Sequence, residues 1–452
     1  MMNGLAPRLV CVQTLIRTVK QGSYGNLALG AALKRLDGNG DREAAAHDQR
    51  LCRMLFMGTL ERIVTLDACI AAHSSRPPEK FDTEVLCVLR CGICELLTMR
   101  TPESAVVNLW TETVKKLRKT SAAGIVNAVL RGFLRAERRI PLPAEPDAAL
   151  SVKYSVPLPL VRRLTADLGT VAAEAFMADS LGEPPLYYRM NPLKSGAADI
   201  AAQNGLTPVP DIPYAYQGER TSRQTAGAAL SEAAVFSDGW LHVQDLASQL
   251  CCLALDVQPG ETVLDVCAAP GGKTFTVAEM MQNSGRLLAY DLHPQRVRLI
   301  AEGAKRLGLS CITAQTGDAR DPSPDRPQAD RVLCDVPCSG FGVMRRKPEV
   351  RYKSLEEAAG LPALQYAILE ASAKSVKQGG VLVYSTCTVL KAENEEVVSR
   401  FLAAHPEFSA EPPFAAYPAI AEKTGGQLMT TLLPQMLGTD GFFVTKLRRS
   451  AG

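Results

Sequence analysis

The sequence predicts a multi-domain chain: an all-α bundle in front, a small α/β connecting domain, and a C-terminal Rossmann-like α/β domain with a mostly parallel sheet. Three observations predict it. Up to about residue 140 the apolar residues recur only at three- and four-residue steps, the helical period. From about Gln244 short β-rich apolar runs alternate with amphipathic stretches, as in a parallel sheet covered on both faces. The 452 residues also exceed what one hydrophobic core usually serves.

The front domain, residues 1–140, contains RLVCVQTLIRTV, QRLCRMLFMGTLERIVTLDACIAAH, EVLCVLRCGICELLTM, ESAVVNLWTETVKKL and AGIVNAVLRGFLRAERR, each with helical periodicity. The proline-rich IPLPAEPDAAL, Ile140 to Leu150, reads as a linker. Lys115, Lys116, Arg118 and Lys119 form one basic cluster, and Arg131, Arg135, Arg138 and Arg139 follow on the last helix. Such clusters are either a solvated face or a phosphate-contacting surface.

Composition excludes several classes. With 46% hydrophobic and 21% charged residues the chain is an ordinary globular one, and a net charge of +3 does not by itself indicate nucleic acid. No apolar run is long enough to span a bilayer, and the N-terminal stretch carries basic residues inside an amphipathic pattern, unlike a signal peptide. The expected location is the cytoplasm, with no membrane and no metal. The 13 cysteines are scattered through apolar segments, which fits reduced thiols better than a disulfide framework. Cys91 and Cys94 form a Cys-x-x-Cys pair, but with Cys87 they fall at helical spacing, and core packing is the better reading.

The connecting domain, residues 150–240, begins with a short helix in SVPLPLVRRLTADLG and continues with a strand running into a turn, LYYRMNPLK. The C-terminal domain, 241–452, supplies candidate strands TVLDVCAA, GRLLAYDL, SCITAQTGDA, DRVLCDVP and GGVLVYSTCT, separated by helix-like stretches. Near the end MLGTDGFFVTKLRR reads as a hairpin that adds antiparallel strands at the edge. Ligands of such a domain bind beyond the carboxyl ends of the strands.

The first of these strands runs into CAAPGGKT and opens a helix. Glycines at that turn let a ligand approach the backbone. Neither the Walker pattern nor G-x-G-x-x-G is satisfied, so a ligand without a pyrophosphate is expected. Asp291, Asp318 and Asp335 follow successive strands. Each alone would read as a turn former. As a series behind a glycine-rich turn they fit a nucleoside with a small charged tail, S-adenosyl-L-methionine. Two further strands are each followed by a cysteine, Cys338 in VLCDVPCSG and Cys387 in VLVYSTCTV.

DVCAAPGGKT, DVPCSGFGVMRRKPEVR and YSTCT together resemble the RNA cytosine-5 methyltransferases. The helical front, which resembles the NusB fold, and KTSAAGIVNAVLR, YRMNPLK and VQDLASQL are similar to the RsmB (Sun/Fmu) branch over nearly the whole chain. The resemblance implies that Cys387 attacks carbon 6 of cytosine, that Cys338 assists resolution of the adduct, and that Asp335 bonds the ring edge. It implies a cofactor site lined by Cys267, Ala268, Ala269, Pro270, Gly271, Gly272, Lys273, Asp291, Asp318 and Asp335, with Lys273 a candidate for the methionine carboxylate. Spacing alone does not distribute the thiol roles, since the related DNA enzymes attack with the Pro-Cys thiol. Arg189, Asn191 and Lys194 in the middle domain, and Arg345, Arg346, Lys347 and Arg351 after Cys338, are the RNA-contact candidates. The chain departs from the family at Glu349, where Asp is usual, and at Leu158, where Trp often follows the proline. The expected partner is RNA, 16S rRNA above transfer RNA, bound by a monomer; a catalytically inactive RNA-binding assembly factor is the alternative of another class.

Overall fold

A computed structural model describes residues 4–21, 25–36, 42–218, 234–321 and 326–451. Much of the ERTSRQTAGAALSEAAVFSDG segment therefore lies outside the described residues. The chain divides into two compact units, 1–181 with 346–353, and 182–345 with 354–452.

The first unit is helical. Helices Leu5–Gln21, Arg42–Glu61, Ile63–His73, Thr83–Thr98, Glu103–Lys116 and Ala123–Arg135 bury their apolar stripes around Phe56, Leu89, Trp110 and Phe133. Cys11, Cys52, Cys69, Cys87, Cys91 and Cys94 are all buried in this core, as small apolar side chains at helical spacing would be. A charged pair is buried among them: the Glu95 carboxylate accepts from the Arg8 guanidinium and from Trp110 Nε1, the latter at 2.8 Å.

Helices Pro146–Tyr154, Leu158–Leu168 and Thr170–Asp179 join this unit. Thr65 Oγ1 donates to Val152 O at 2.5 Å, and Ser155 Oγ accepts from Val64 N at 3.0 Å. The segment read as one connecting domain is thus shared between the two units.

The second unit opens with β1 (Leu186–Met190), β2 (Leu206–Pro208), β3 (Ala215–Gly218) and β4 (Leu241–Val243), a four-stranded antiparallel sheet in the order β2-β3-β1-β4. The main sheet follows: β5 (Thr262–Asp265), β6 (Arg286–Asp291), β7 (Ile312–Thr316), β8 (Ala329–Asp335), β9 (Val376–Thr386), β10 (Phe408–Glu411), β11 (Met429–Leu432) and β12 (Phe442–Arg449). Its order is β10-β12-β9-β8-β5-β6-β7, with β11 on β12. Strands β5 to β9 pair in parallel, whereas β12 runs antiparallel to β9. The order reverses between β5 and β8, which opens a crevice at their carboxyl ends.

The terminal hairpin needs correction. Thr439-Asp440-Gly441 is not a tight turn between two strands. The partner is β11, and residues 433–441, including a helical turn Pro434–Leu437, lie between β11 and β12. The antiparallel strands do extend one edge of the parallel sheet, as expected, with β12 on β9 and β10 and β11 on β12.

Candidate active site

The parallel sheet aligns the ends of its strands, and this brings the sequence-predicted residues of the cofactor turn, the carboxylates and the cysteines to one side. After β5 the chain turns through 267–271 into helix Gly272–Met280. Ala268 N donates to Tyr290 O at 2.8 Å, which ties the turn to β6. Gly271 has φ +112°, and a Cβ there would stand 2.4 Å from the Phe275 ring, so glycine is required on both counts. Ala268 and Ala269 are buried, Pro270 is exposed, and Cys267 is half-buried with its thiol pushed well up by burial.

At the root of the turn Thr274 Oγ1 donates to Asp265 Oδ2 at 2.7 Å. Burial pushes the Asp265 carboxyl up to about 7. Asp265 Oδ1 and Gln244 Nε2 are buried without a hydrogen-bond partner among the described residues, and Gln244 Nε2 lies 3.9 Å from where a Gly272 Cβ would stand. Two unsatisfied polar atoms beside an open glycine turn fit a polar ligand there.

Lys273, the candidate for a ligand carboxylate, has a protein carboxylate beside it. Its Nζ donates to Asp335 Oδ2 at 2.7 Å, while Ser385 Oγ donates to Asp335 Oδ1 at 2.7 Å. Asp335 thereby joins the cofactor turn to the ends of β8 and β9. Burial opposes the Lys273 charge, but Asp335 outweighs it and holds the ammonium well above its ordinary value. Asp291, buried at the end of β6, accepts from His293 N at 3.1 Å and meets Arg296 Nη1 at 3.2 Å. Asp318 lies beyond β7 and pairs with Arg320, whose hydrogen bond holds the carboxyl below its usual range.

The two cysteines leave adjoining strands and meet: Cys338 Sγ and Cys387 Sγ are 3.1 Å apart as partly exposed thiols, not joined in a disulfide. Gly342 fastens the approach, donating from N to Cys387 O at 3.0 Å, and its own carbonyl accepts from Gly441 N at 2.9 Å. A Cβ on Gly342 would fall 1.9 Å from Gly441 O. The Cys387 contact, then burial, push the Cys338 thiol well up, with the charges of Glu393 and Asp335 adding to it.

Beneath the thiols lies a polar layer that periodicity did not reveal. Glu393 Oε2 accepts from Ser339 N at 2.9 Å and Gln365 Nε2 at 2.8 Å. Asn394 Oδ1 accepts from Thr386 Oγ1 at 2.6 Å, and its Nδ2 donates to Thr388 O at 3.1 Å. In the sequence these residues are only the polar start of AENEEVVSRFLAAH, an apparently ordinary helix opening. The one available signal was the run of Glu and Asn directly before an apolar stripe.

The RNA-contact candidates separate by burial. Arg189 is 2% exposed, with Nε on Glu279 Oε2 at 2.7 Å. Asn191 is buried, its Nδ2 on Gly239 O and Leu307 O at 3.1 and 3.0 Å. Arg345 is buried and donates to Thr439 O at 3.1 Å. Arg351 is fully buried, on the carbonyls of Glu61 (3.0 Å), Tyr154 (3.4 Å), Ser155 (3.5 Å) and Ser180 (3.0 Å). Those carbonyls end helices 42–61, 146–154 and 170–179, so the guanidinium sits at the negative ends of their dipoles. These four side chains hold the fold internally and offer no surface to RNA. Lys194 and Arg346 are partly exposed and Lys347 exposed, with Lys194 Nζ donating to Asp238 O at 2.7 Å. In the front clusters Lys115 pairs with Glu112, Lys119 with Asp82, Arg138 with Glu103 and Arg139 with Glu137, which neutralises part of that surface.

Among the described residues no helix is long and apolar enough to cross a membrane, and no cluster of His, Cys, Asp or Glu could hold a metal. Comparison with known proteins adds the following. A family model described as 16S rRNA methyltransferase RsmB/F matches residues 252–448, and the NusB family model matches residues 5–135. A probable ribosomal RNA small subunit methyltransferase B of Bacillus subtilis (strain 168) is 34% identical over 99% of this chain and 100% of its own length. A ribosomal RNA small subunit methyltransferase B of Thermus thermophilus is 34% identical over 99% of both chains. The crystal structure of PH0851 matches 99% of this chain and 100% of its own with TM-score 0.78 at 24% identity, a likeness of fold.

Proposed function

Because the chain belongs to the RsmB/F family of 16S rRNA methyltransferases, we propose that it methylates carbon 5 of a cytosine in 16S ribosomal RNA through a covalent bond from Cys387 to carbon 6. The observation that carries this reading is the 3.1 Å approach of two thiols at the ends of β8 and β9, beside the Lys273–Asp335 pair. End-to-end similarity to proteins named for the small subunit favours ribosomal over transfer RNA.

S-adenosyl-L-methionine, when bound, supplies the methyl group; Cys267 to Lys273, with Asp291 and Asp318, are the residues that would hold it. Cys387 adds to carbon 6 as a thiolate, which makes carbon 5 of the ring electron-rich. Asp335 is acceptor-only when ionised and, with each oxygen taking one bond, keeps lone pairs for the cytosine edge. After methylation a proton leaves carbon 5 and the Cys387 thiolate is expelled, with Cys338 at contact distance to assist. Attack on carbon 6 requires a flipped or single-stranded base. Lys194, Arg346 and Lys347 contact phosphates, which position the RNA without reading its sequence. The protein works in the cytoplasm, where its thiols stay reduced.

The test replaces each thiol separately and measures methyl transfer to ribosomal RNA together with trapped protein–RNA adduct. Cys387→Ala abolishes transfer and adduct, whereas Cys338→Ala accumulates adduct. Full methyl transfer by the Cys387 variant would sink the mechanism. Adduct formation that depends on Cys338 instead would reverse the two roles.

A further inference from the structure

The polar layer under the thiols is chemically odd. Glu393 is 2% exposed, and its Oε1 has no hydrogen-bond partner among the described residues. Its Oε2 takes two donors, Ser339 N and Gln365 Nε2, the first belonging to the residue after Cys338. Gln365 Nε2 also donates to Pro337 O at 3.0 Å, so the Cys338 loop is gripped on both sides of the thiol. Asn394, the next residue in the chain, binds Thr386 Oγ1 and Thr388 O, which flank Cys387. Tyr384 OH donates to Glu393 O at 2.6 Å, tying the same turn to β9. A single turn, 391–394, through its buried Glu393 and Asn394, therefore sets the positions of both cysteine loops. Packing does not require a carboxylate there, because an amide would accept the same two bonds without the cost of burying a charge.

We infer that Glu393 is a positioning residue whose carboxylate both fixes the Cys338 loop and makes the two thiols unequal, by setting a negative charge on the Cys338 side. The inference rests on the reading of Cys387 and Cys338 as a reacting pair. The groups facing Cys338 are Cys387 beyond β9, Asp335 at the end of β8 with its partner Lys273, Tyr384 on β9, and Glu393 itself. Cys387, burial, Glu393 and Asp335 all push the Cys338 thiol up. Lys273, the cation of the group, is engaged by Asp335. The carboxylate is hydrogen-bonded to the residue next to Cys338, whereas the residues flanking Cys387 are held by the neutral amide of Asn394, so the charge is placed on the Cys338 side.

The experiment needs neither RNA nor methyl donor. In a Cys387→Ser background, iodoacetamide alkylation of Cys338 is followed by peptide mass spectrometry across a pH series. Glu393→Gln keeps an acceptor for Ser339 N and Gln365 and removes the charge. It is expected to raise the Cys338 alkylation rate at pH 7.5 by about tenfold, one unit of thiol pKa. Gln365→Leu loosens the same loop but leaves the charge, and is expected to keep the rate within about threefold. Glu393→Asp, which restores charge on a shorter arm, is expected to keep alkylation slow. An unchanged rate in Glu393→Gln overturns the inference, as do equal increases in Glu393→Gln and Gln365→Leu or fast alkylation in Glu393→Asp. If the pair is not catalytic at all, methyl transfer by Cys387→Ala reveals it whatever the alkylation rates are.

Discussion

Cysteines occur in both units, in two different settings. In the helical unit Cys52, Cys69 and Cys87 lie on inward faces of helices, and burial pushes each thiol up to about 12. At the sheet, Cys338 and Cys387 stand just past strand ends, partly exposed and 3.1 Å apart. The strands that lead to Cys338 and Cys387 are as apolar as the helices that carry the buried cysteines, but polar residues flank Cys387 on both sides. What separates the two settings is where the element stops, since a strand end in a parallel sheet opens to a ligand and a helix face does not.

The largest expected effect breaks that comparison directly. At pH 8 a thiol with a pKa of about 12 is ionised only to about one part in 10⁴. In the native protein iodoacetamide should therefore modify Cys387 at least about 100-fold faster than Cys52, Cys69 or Cys87, and denaturant should erase the difference. Peptide mass spectrometry over a time course measures it; comparable native rates would show that the helical core opens freely.

A second effect sharpens the contrast between buried charges. In the helical unit Glu95 receives both Arg8 and Trp110. In the catalytic unit Glu279 receives Arg189, while its Oε1 lacks a hydrogen-bond partner among the described residues. Arg189→Met strands a buried carboxylate under the cofactor helix and should cost about 3–5 kcal/mol, read by urea unfolding. A loss below about 1 kcal/mol would mean that Glu279 takes up a proton and no longer needs its partner.

The smallest effect concerns His242 in the same cluster. Burial, then Arg189, push the imidazole down to about 3, so the folded protein keeps it neutral. Unfolded, the imidazole binds a proton below about 6.5. Stability from this group is therefore complete above about pH 6.5 and lost as pH falls toward 3. Glu279, pushed up to about 7 chiefly by burial, acts in the opposite sense: stability falls as pH rises from its unfolded value toward 7. Removing the first contribution with His242→Gln should raise stability at pH 5 relative to pH 7 by about 2 kcal/mol compared with the parent protein. An identical pH dependence in the two proteins would contradict the assignment.

Particular residues mark what was legible. Helical spacing placed Cys87, Cys91 and Cys94 in a core, where they are found buried. The alternation of runs after Gln244 anticipated β5 to β9 in parallel. The basic residues were read less well. In MRRKPEVR, Arg345 and Arg351 look as available as Lys347, yet both are buried on backbone carbonyls. Local pattern carries no record of helix ends contributed by residues 61, 154 and 180, and those ends are what draw Arg351 inward. That Lys273, a candidate for the methionine carboxylate, has Asp335 as its partner was not legible, because Asp335 arrives from a strand far along the chain.

Two kinds of information are involved. The sequence by itself determined the helical front, the parallel sheet, the glycine turn and the thiols at two strand ends, since these follow from local periodicity and from backbone needs at single positions. Only the tertiary structure decided which thiol neighbours which carboxylate, which arginines are spent inside, and that Glu393 and Asn394 lie beneath both cysteines. Those facts depend on strand order, which brings β8 and β9 side by side and turns residues distant in the chain into contacts of about 3 Å.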